Sequence, residues 1–289
     1  MASIFALRKP SQQTNDLAGM ADPPKGSTPT TFGELVAEAL GSMMIAIFGF
    51  GVVAQVTVGA GGLGGHDSIA WSWGLGVTFG IFVAGAISGA HLNPAVTLAV
   101  ATYKGFPWAK VGPYILAQLV GFFLGALFIY LNYVHSINAI DPHRTFKTQG
   151  IFSTSPGNGN NALDVHIPQA FMDQVLGTAV LVFLIFAITD VLGANPTPAV
   201  SAIAVGLIVV GIGFALGTND GYAINPARDF APRLMEWIVG YKDAWLDQRG
   251  NVFFWVPIVG PFVGALVGGG VYQATIARTL PKTVPASTK

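Results

Sequence analysis

Hydrophobic positions run along this chain in long unbroken blocks. Asp, Glu, Lys and Arg are absent from residues 39 to 66, 68 to 103, 111 to 140, 174 to 189, 191 to 219 and 250 to 277. Each of those side chains costs about 2.5 to 3.5 kcal/mol at the centre of a membrane helix, so their absence marks stretches that hydrocarbon can accept. A spanning helix needs about 20 mostly apolar residues. The blocks therefore predict six transmembrane helices, at roughly 32–57, 70–88, 109–133, 169–190, 199–217 and 253–276, with polar cap residues completing the shortest. A membrane barrel would need polar residues at every second position, and no such alternation runs through these blocks.

Residues 1–30 are polar, carry Pro and lack a continuous apolar run, which reads as an N-terminal tail and not a cleaved signal peptide. Residues 279–289 form a second tail, leaving one domain at 31–278, with a first repeat at 31–133 and a second at 169–278. Of 289 residues 52% are hydrophobic and 10% charged, where a soluble domain carries about 25% charged residues. This composition suits lipid. Fourteen basic residues balance fourteen acidic ones, so no net field gathers phosphates and nucleic acid is disfavoured as a partner. With no Cys there is no disulfide, no thiolate nucleophile and no zinc–thiolate site. The 37 Gly and 18 Pro sit among apolar residues, as close helix packing in a bilayer requires.

An even number of spans puts both tails on one side. Arg8, Lys9, Lys25, Lys104, Lys110, Arg278, Lys282 and Lys289 fall on that side, and Arg144, Lys147, Lys242 and Arg249 on the other. This bias favours cytoplasmic termini in a multi-pass protein, with the plasma membrane as the expected location. Asn195-Pro196-Thr197 fails as a glycosylation site because of its Pro.

The six spans fall into two halves of three. Glu38-Ala39-Leu40-Gly41-Ser42 is echoed by Gln174-Val175-Leu176-Gly177-Thr178, and the triplet Asn93-Pro94-Ala95 by Asn225-Pro226-Ala227, with Gly89 and Gly221 each four residues ahead. A half with an odd number of spans forces its copy to enter from the opposite face, giving an inverted repeat. The apolar run Pro94 to Tyr103 follows a span that has already crossed. At 1.5 Å per residue it is a helix of about 15 Å, half the hydrocarbon thickness; Pro226 to about Trp237 is its counterpart. Pro suits the first helical position and Asn the cap before it. A single Asn-Pro is commonly no more than a cap, but two copies in matching contexts predict half-helices that meet tip to tip near the midplane.

Irregular backbone ahead of each triplet cannot face lipid and must line a wet path. The converging helix dipoles would place positive potential there, repelling cations and protons, while the Asn93 and Asn225 amides donate to a passing oxygen. Such a path admits small neutral solutes that carry oxygen. Arg228 lies one helical turn beyond Asn225; an intramembrane charge usually faces a cavity, although a snorkelling Arg near a helix end is the plain alternative. Five N–H donors suit it to holding two hydroxyls of a polyol. Asp229 could pair with Arg228, with Arg233 or with a loop amide. Trp73, like Trp71, Trp108 and Trp255, reads by composition as an interfacial anchor. A lone buried His such as His91 is usually a hydrogen-bonded core residue.

Ser88-Gly89-Ala90-His91-Leu92-Asn93-Pro94-Ala95-Val96-Thr97 and Gly221-Tyr222-Ala223-Ile224-Asn225-Pro226-Ala227-Arg228-Asp229-Phe230 resemble the two signature loops of the aquaporin family. The resemblance extends from Phe32 to about Arg278 and is nearest to the aquaglyceroporin, or glycerol facilitator, branch, where Asp follows the Arg. It implies an all-α membrane fold of six spans plus two re-entrant half-helices, and a homotetramer with one pore per subunit. It also implies a passive channel for glycerol and water, with other small polyols and urea as further candidate solutes, that excludes ions and protons and needs no cofactor or metal.

Carried over residue by residue, the resemblance makes Trp73, Gly213, Tyr222 and Arg228 the selectivity filter. Gly213 stands where water-selective relatives carry His, and is expected to leave room; Tyr222 stands where glycerol facilitators usually carry Phe. Gly89, Ala90 and His91, with Tyr222 and Ala223, are expected to offer a ladder of carbonyls. Asp229, Pro257 and Ile258 mark the glycerol branch, Arg233 is an expected partner of Asp229, and Glu38 is expected to accept hydrogen bonds from loop amides behind the pore. Gln174 takes that place in the second half, so the halves are expected to be supported unequally. The alternative is a secondary transporter coupling a solute to an ion, for which Glu38, Asp173 and Asp229 are the only candidate ion-binding groups. A closed junction protein is disfavoured by the Gly-rich filter, and an enzyme by the lack of a nucleophile with its base or a metal cluster.

Overall fold

The computed structural model describes residues 29–60, 62–190, 192–194 and 196–281. Most of both polar tails, with Arg8, Lys9, Lys25, Lys282 and Lys289, and also Asn195, lie outside the described residues. The chain runs through α1 (Thr31–Val58), α2 (His66–Ser88), the short α3 (Pro94–Tyr103) and α4 (Trp108–Ile140), then one turn of helix, α5 (Phe146–Gln149). The second half repeats the order with α6 (Ile167–Thr189), α7 (Pro198–Asp220), the short α8 (Pro226–Ile238) and α9 (Val256–Ala274), followed by a last turn, α10 (Ile276–Thr279). Six of these helices are long and apolar enough to cross a bilayer. Among the described residues there is no strand, only an isolated bridge between Leu246 and Val252.

Several boundaries differ from the sequence expectation: α2 starts at His66 and not at 70, α9 at Val256 and not at 253, and two helices run on past their expected ends. The third span continues to Ile140 and does not stop at 133, because residues 134 to 140 contain neither Gly nor Pro and Ile137 is wholly buried. Asp141 ends it by turning its carboxylate onto the Thr145 N–H and the Thr148 hydroxyl, at 2.8 and 2.7 Å. The loop that joins the two halves thus begins at 141, not 134. The fifth span likewise runs on to Asp220 instead of stopping at 217, and that extra turn carries a carboxylate discussed below.

Small residues set the packing, and they do so twice. On α4, Gly121 lies against the Ala39 carbonyl of α1 and Gly125 against Met43; on α9, Gly264 lies against the Val175 carbonyl of α6 and Gly268 against Ala179. A Cβ at Gly121, Gly264 or Gly268 would collide with backbone and one at Gly125 with the Ala46 Cβ, so the approach of α1 to α4 and of α6 to α9 depends on glycine. The matched contacts are the inverted repeat seen in three dimensions. Large apolar side chains such as Phe82, Leu116, Leu131, Leu207 and Val267 stay exposed on the outside, as a surface solvated by acyl chains should be. Lys104, just past α3, bridges to Asp190 after α6 at 3.3 Å. Tyr272 donates its hydroxyl to the same carboxylate at 3.0 Å, tying the two halves together at one membrane face.

Candidate functional site

The two half-helices begin alike. Pro94 and Pro226 occupy the first turn, and the preceding Asn93 and Asn225 are extended, with φ of −159° and −152°. Each Asn oxygen accepts from its own helix: Asn93 Oδ1 takes the Ala95 N–H at 2.9 Å, and Asn225 Oδ1 the Ala227 and Arg228 N–H groups at 3.1 and 3.2 Å. That choice turns each amide nitrogen toward the opposite loop. Asn93 donates to the Ile224 carbonyl and Asn225 to the Leu92 carbonyl, both at 2.8 Å. The crossed pair locks the tips together, and each Nδ2 keeps one further hydrogen. Both Asn residues line a central cavity of about 70 Å³.

The loops leading to the tips share a strained backbone. Positive φ recurs at Gly89, Ala90 and Leu92 in one loop (87°, 49° and 52°) and at Gly221, Tyr222 and Ile224 in the other (79°, 40° and 43°). Only glycine adopts this region freely, and for β-branched Ile224 it is a genuine outlier. Buried hydrogen bonds hold the first loop in place. Glu38 Oε1 accepts the His91 N–H at 2.8 Å and the Ser88 hydroxyl at 2.6 Å; Oε2 accepts the Leu92 N–H at 2.8 Å and Gln118 Nε2 at 2.7 Å. Gln174 provides the counterpart, its Oε1 accepting the Ile224 N–H at 2.8 Å.

Ala90, His91, Tyr222 and Ala223 border the cavity, whereas Gly89 does not. The opposite wall is apolar, built from Ile45, Val77, Ile81, Leu181, Val205 and Val209. A path with one polar and one greasy wall matches a solute with a hydroxyl edge and a hydrocarbon edge. His91 packs on Phe106 and Tyr114, with ring centroids 4.6 and 5.2 Å away, and its Nδ1 meets Thr97 Oγ1 at 3.2 Å.

Beyond the tips the path opens into a vestibule of about 330 Å³ lined in part by Lys147, Ser153, Thr154 and Asn158 of the loop that joins the two halves. Trp73, Tyr222 and Arg228 line both the vestibule and the central cavity, so they form the constriction between them. Trp73 is a buried wall and not an interfacial anchor, whereas Trp71, Trp108 and Trp255, like Trp237, are exposed. Its ring lies 4.3 Å beneath the Arg228 guanidinium, with Phe50 edge-on to Trp73 at 5.3 Å. Arg228 Nη1 donates to the Phe152 carbonyl at 3.1 Å. Among the described residues no acceptor engages Nε or Nη2, which leaves those donors for a solute in the constriction.

Gly213 departs from its expected role, since it borders neither cavity. The volume that it vacates is taken by Tyr222: a Cβ on Gly213 would stand 3.0 Å from Tyr222 Cζ, 3.1 Å from its hydroxyl and 3.0 Å from Ala70 Cβ. The added hydroxyl of Tyr222 has therefore filled the room that the missing side chain would have left, and the oxygen has no hydrogen-bond partner. Nor do Pro257 and Ile258, in the first turn of α9, border either cavity.

Asp229 and Arg233 clamp the loop that joins the two halves. Asp229 accepts from Arg233 Nε at 2.5 Å and from the Thr154 N–H and hydroxyl at 2.9 and 2.8 Å, while Arg228 stands 3.8 Å off. Arg233 is wholly buried and also donates to the Ala244 and Thr154 carbonyls. All three partners weighed for Asp229 are thus present, and together they hold the segment 152 to 154 over the constriction. Sequence reasoning did not single out Ser88, Gln118, Phe50 or Asp220. Ser88 and Asp220 had a signal, since each stands directly before the Gly of its loop; Gln118 and Phe50 are brought in by neighbouring helices and had none.

The sequence profile described as Major intrinsic protein matches residues 25–272. An "Aquaporin-7-2" of Laccaria bicolor is 38% identical over 281 residues, covering 90% of this chain and 82% of that protein. "Aquaglyceroporin-2" of Rhizophagus irregularis is 40% identical over 235 residues, covering 80% and 72% respectively. Among solved structures, the X-ray structure of the aquaglyceroporin from Plasmodium falciparum superposes with a TM-score of 0.76 at 31% identity, covering 86% of this chain and 98% of that one.

Proposed function

The chain belongs to the major intrinsic protein family, and from that premise we propose that it is a passive channel for glycerol and water whose filter is Trp73, Tyr222 and Arg228. Membership makes it a multi-pass membrane channel. The observation that carries the solute class is the make-up of the constriction. One guanidinium, stacked at 4.3 Å on Trp73 and anchored on the Phe152 carbonyl, keeps unengaged donors beside two aromatic walls. A polyol uses both features: its hydroxyls pair with Nε and Nη2, and its carbon backbone rides on the rings. Beyond the constriction, the crossed Asn93 and Asn225 amides present donors, so a solute or water is oriented as an acceptor at the midplane. With two helix N-termini aimed at the same point and Arg228 above it, a cation meets a repulsive field twice.

The channel domain is assigned to 31–278, with a homotetrameric assembly, cytoplasmic termini and residence in the plasma membrane; small polyols and urea are secondary solutes. The lysine and arginine distribution supports that orientation. In proteoliposomes, stopped-flow light scattering should show glycerol and water entry, linear in gradient and independent of an imposed proton gradient. Entry that saturates or follows the proton gradient would instead make the protein a coupled transporter.

A further inference from the structure

The two pore loops are repeats, yet their supports are chemically exchanged. In the first half the carboxylate is on the long helix, at Glu38, and the hydroxyl is before the loop glycine, at Ser88; the two meet at 2.6 Å. In the second half the long helix carries the neutral Gln174, and the position before the loop glycine carries Asp220, which accepts from Gln174 Nε2, also at 2.6 Å. Donor and acceptor have changed places across one hydrogen bond. Asp220 is wholly buried and adjoins the carboxyl of Asp173, itself 5% exposed. Asp173 Oδ1 accepts from Asn219 at 3.3 Å, and Asp220 Oδ1 from Gln174. The oxygens left without partners are Oδ2 of each. Arg228 and Asp229 are the other charges that Asp220 faces, from α8. Those two already form part of the Asp229–Arg233 clamp. Among the described residues no cation is dedicated to the acid pair.

Two adjoining buried carboxyls do not both ionise. A single proton shared by the two carboxyls would leave the pair with one negative charge, the charge that Glu38 brings alone. We propose that Asp220, sharing one proton with Asp173, is a positioning residue for the second pore loop: it orients Gln174 so that the Gln174 amide oxygen holds strained Ile224. The relay reaches the pore in one more step, because the Ile224 carbonyl is what Asn93 grips at 2.8 Å. It also carries more of the burden than its counterpart. Side chains accept three N–H groups in the first loop, Ala90, His91 and Leu92, but in the second loop, ahead of Asn225, only that of Ile224. Asp220 therefore governs the register of both Asn tips from behind, without touching the solute.

This inference rests on the channel reading above, so the unaltered protein is assayed first; if it passes neither glycerol nor water, that reading fails before the relay is tested. Glycerol flux per incorporated protein is then compared for Gln174→Glu, for Asp220→Ser and for the two combined. Gln174→Glu sets a third carboxyl against the pair and removes the 2.6 Å donor; a lost hydrogen bond to a charged group corresponds to a fall of roughly tenfold or more at about pH 7.5. Part of that loss returns near pH 5, where the added carboxyl takes up a proton and can donate again. The combined variant rebuilds the Glu38–Ser88 arrangement and keeps the carboxyl count at two, so its flux recovers to within about twofold of the unaltered channel. Failure of Gln174→Glu alone to insert, with the combined variant inserting and conducting, supports the relay equally. The proposal is overturned if Gln174→Glu conducts normally, or if the combined variant is no better than Gln174→Glu.

Discussion

Gly213 offers the sharpest test of how the constriction is dimensioned. In Gly213→Ala the new methyl would stand 3.0 Å from Tyr222 Cζ, 3.1 Å from the Tyr222 oxygen and 3.0 Å from Ala70 Cβ, where non-bonded carbon atoms settle at about 3.5 to 4.0 Å. The Ala70 side belongs to a packed helix, so the yielding partner is the Tyr222 ring, which moves toward Trp73 and Arg228 by about half an ångström. Overpacking of this kind costs about 1 to 3 kcal/mol. If about 1 to 2 kcal/mol of it falls on the barrier for a solute wider than water, glycerol flux drops roughly 5- to 30-fold. Water, which is narrower, should lose less than about twofold. Stopped-flow shrinkage and re-swelling in the same proteoliposomes reads both fluxes. Adding Tyr222→Phe removes the oxygen at 3.1 Å and should return much of the glycerol flux. An equal fall in water and glycerol, or no relief from Tyr222→Phe, would refute the claim that Gly213 acts by setting the position of Tyr222.

Arg228→Leu should raise proton and cation leak under an applied potential while Asp229 remains held by Arg233 and Thr154; unchanged conductance would remove Arg228 from the barrier. Arg233→Met leaves Asp229 buried without its closest cation, a loss of about 3 to 5 kcal/mol by the usual cost of a broken buried pair. It should show as a lower melting point in detergent and faster protease cutting near residue 153. Glu38→Ala strips the His91 and Leu92 amides of their acceptor, and Ser88 and Gln118 of one of theirs, at about 1 to 3 kcal/mol for each group left unpaired. Glycerol flux per folded protein should collapse, whereas Glu38→Gln should keep part of it. At the Lys104 face, burial pushes the Asp190 carboxyl up, but the Leu192 N–H, Lys104 and the Tyr272 hydroxyl outweigh it and hold Asp190 below the usual carboxylate range. A lowered folded value means that this contribution is complete above the unfolded value of about 3.9 and fades as pH falls through the folded one. Lys104→Met should therefore lower the melting point above about pH 4 and make less difference in stronger acid; a pH-independent difference would contradict the assignment.

The spans, the inverted repeat and the two half-helices were legible in the sequence because the bilayer imposes a one-dimensional rule. Charge is excluded over a fixed length, and a run too short to cross must turn back. Asn-Pro at each tip was legible for an equally local reason, since cap and first-turn preferences act within three residues. Ends of helices were less so: the extension of α4 to Ile140 depends on Ile137 finding a buried place, and that of α7 to Asp220 on Gln174 waiting on α6. The filter lay further out of reach. Whether Gly213 is a vacancy or a backing for Tyr222 depends on where an aromatic ring nine positions later comes to lie, and whether Asp220 is a stray charge or a support depends on Gln174 and Asp173 arriving from another helix. Sequence by itself determined which segments enter the membrane and how often the pattern repeats, because those follow from transfer energies summed along the chain. Only the tertiary structure decided which side chains share a constriction and which hydrogen bonds hold its loops, because those are distances between residues that the chain keeps far apart.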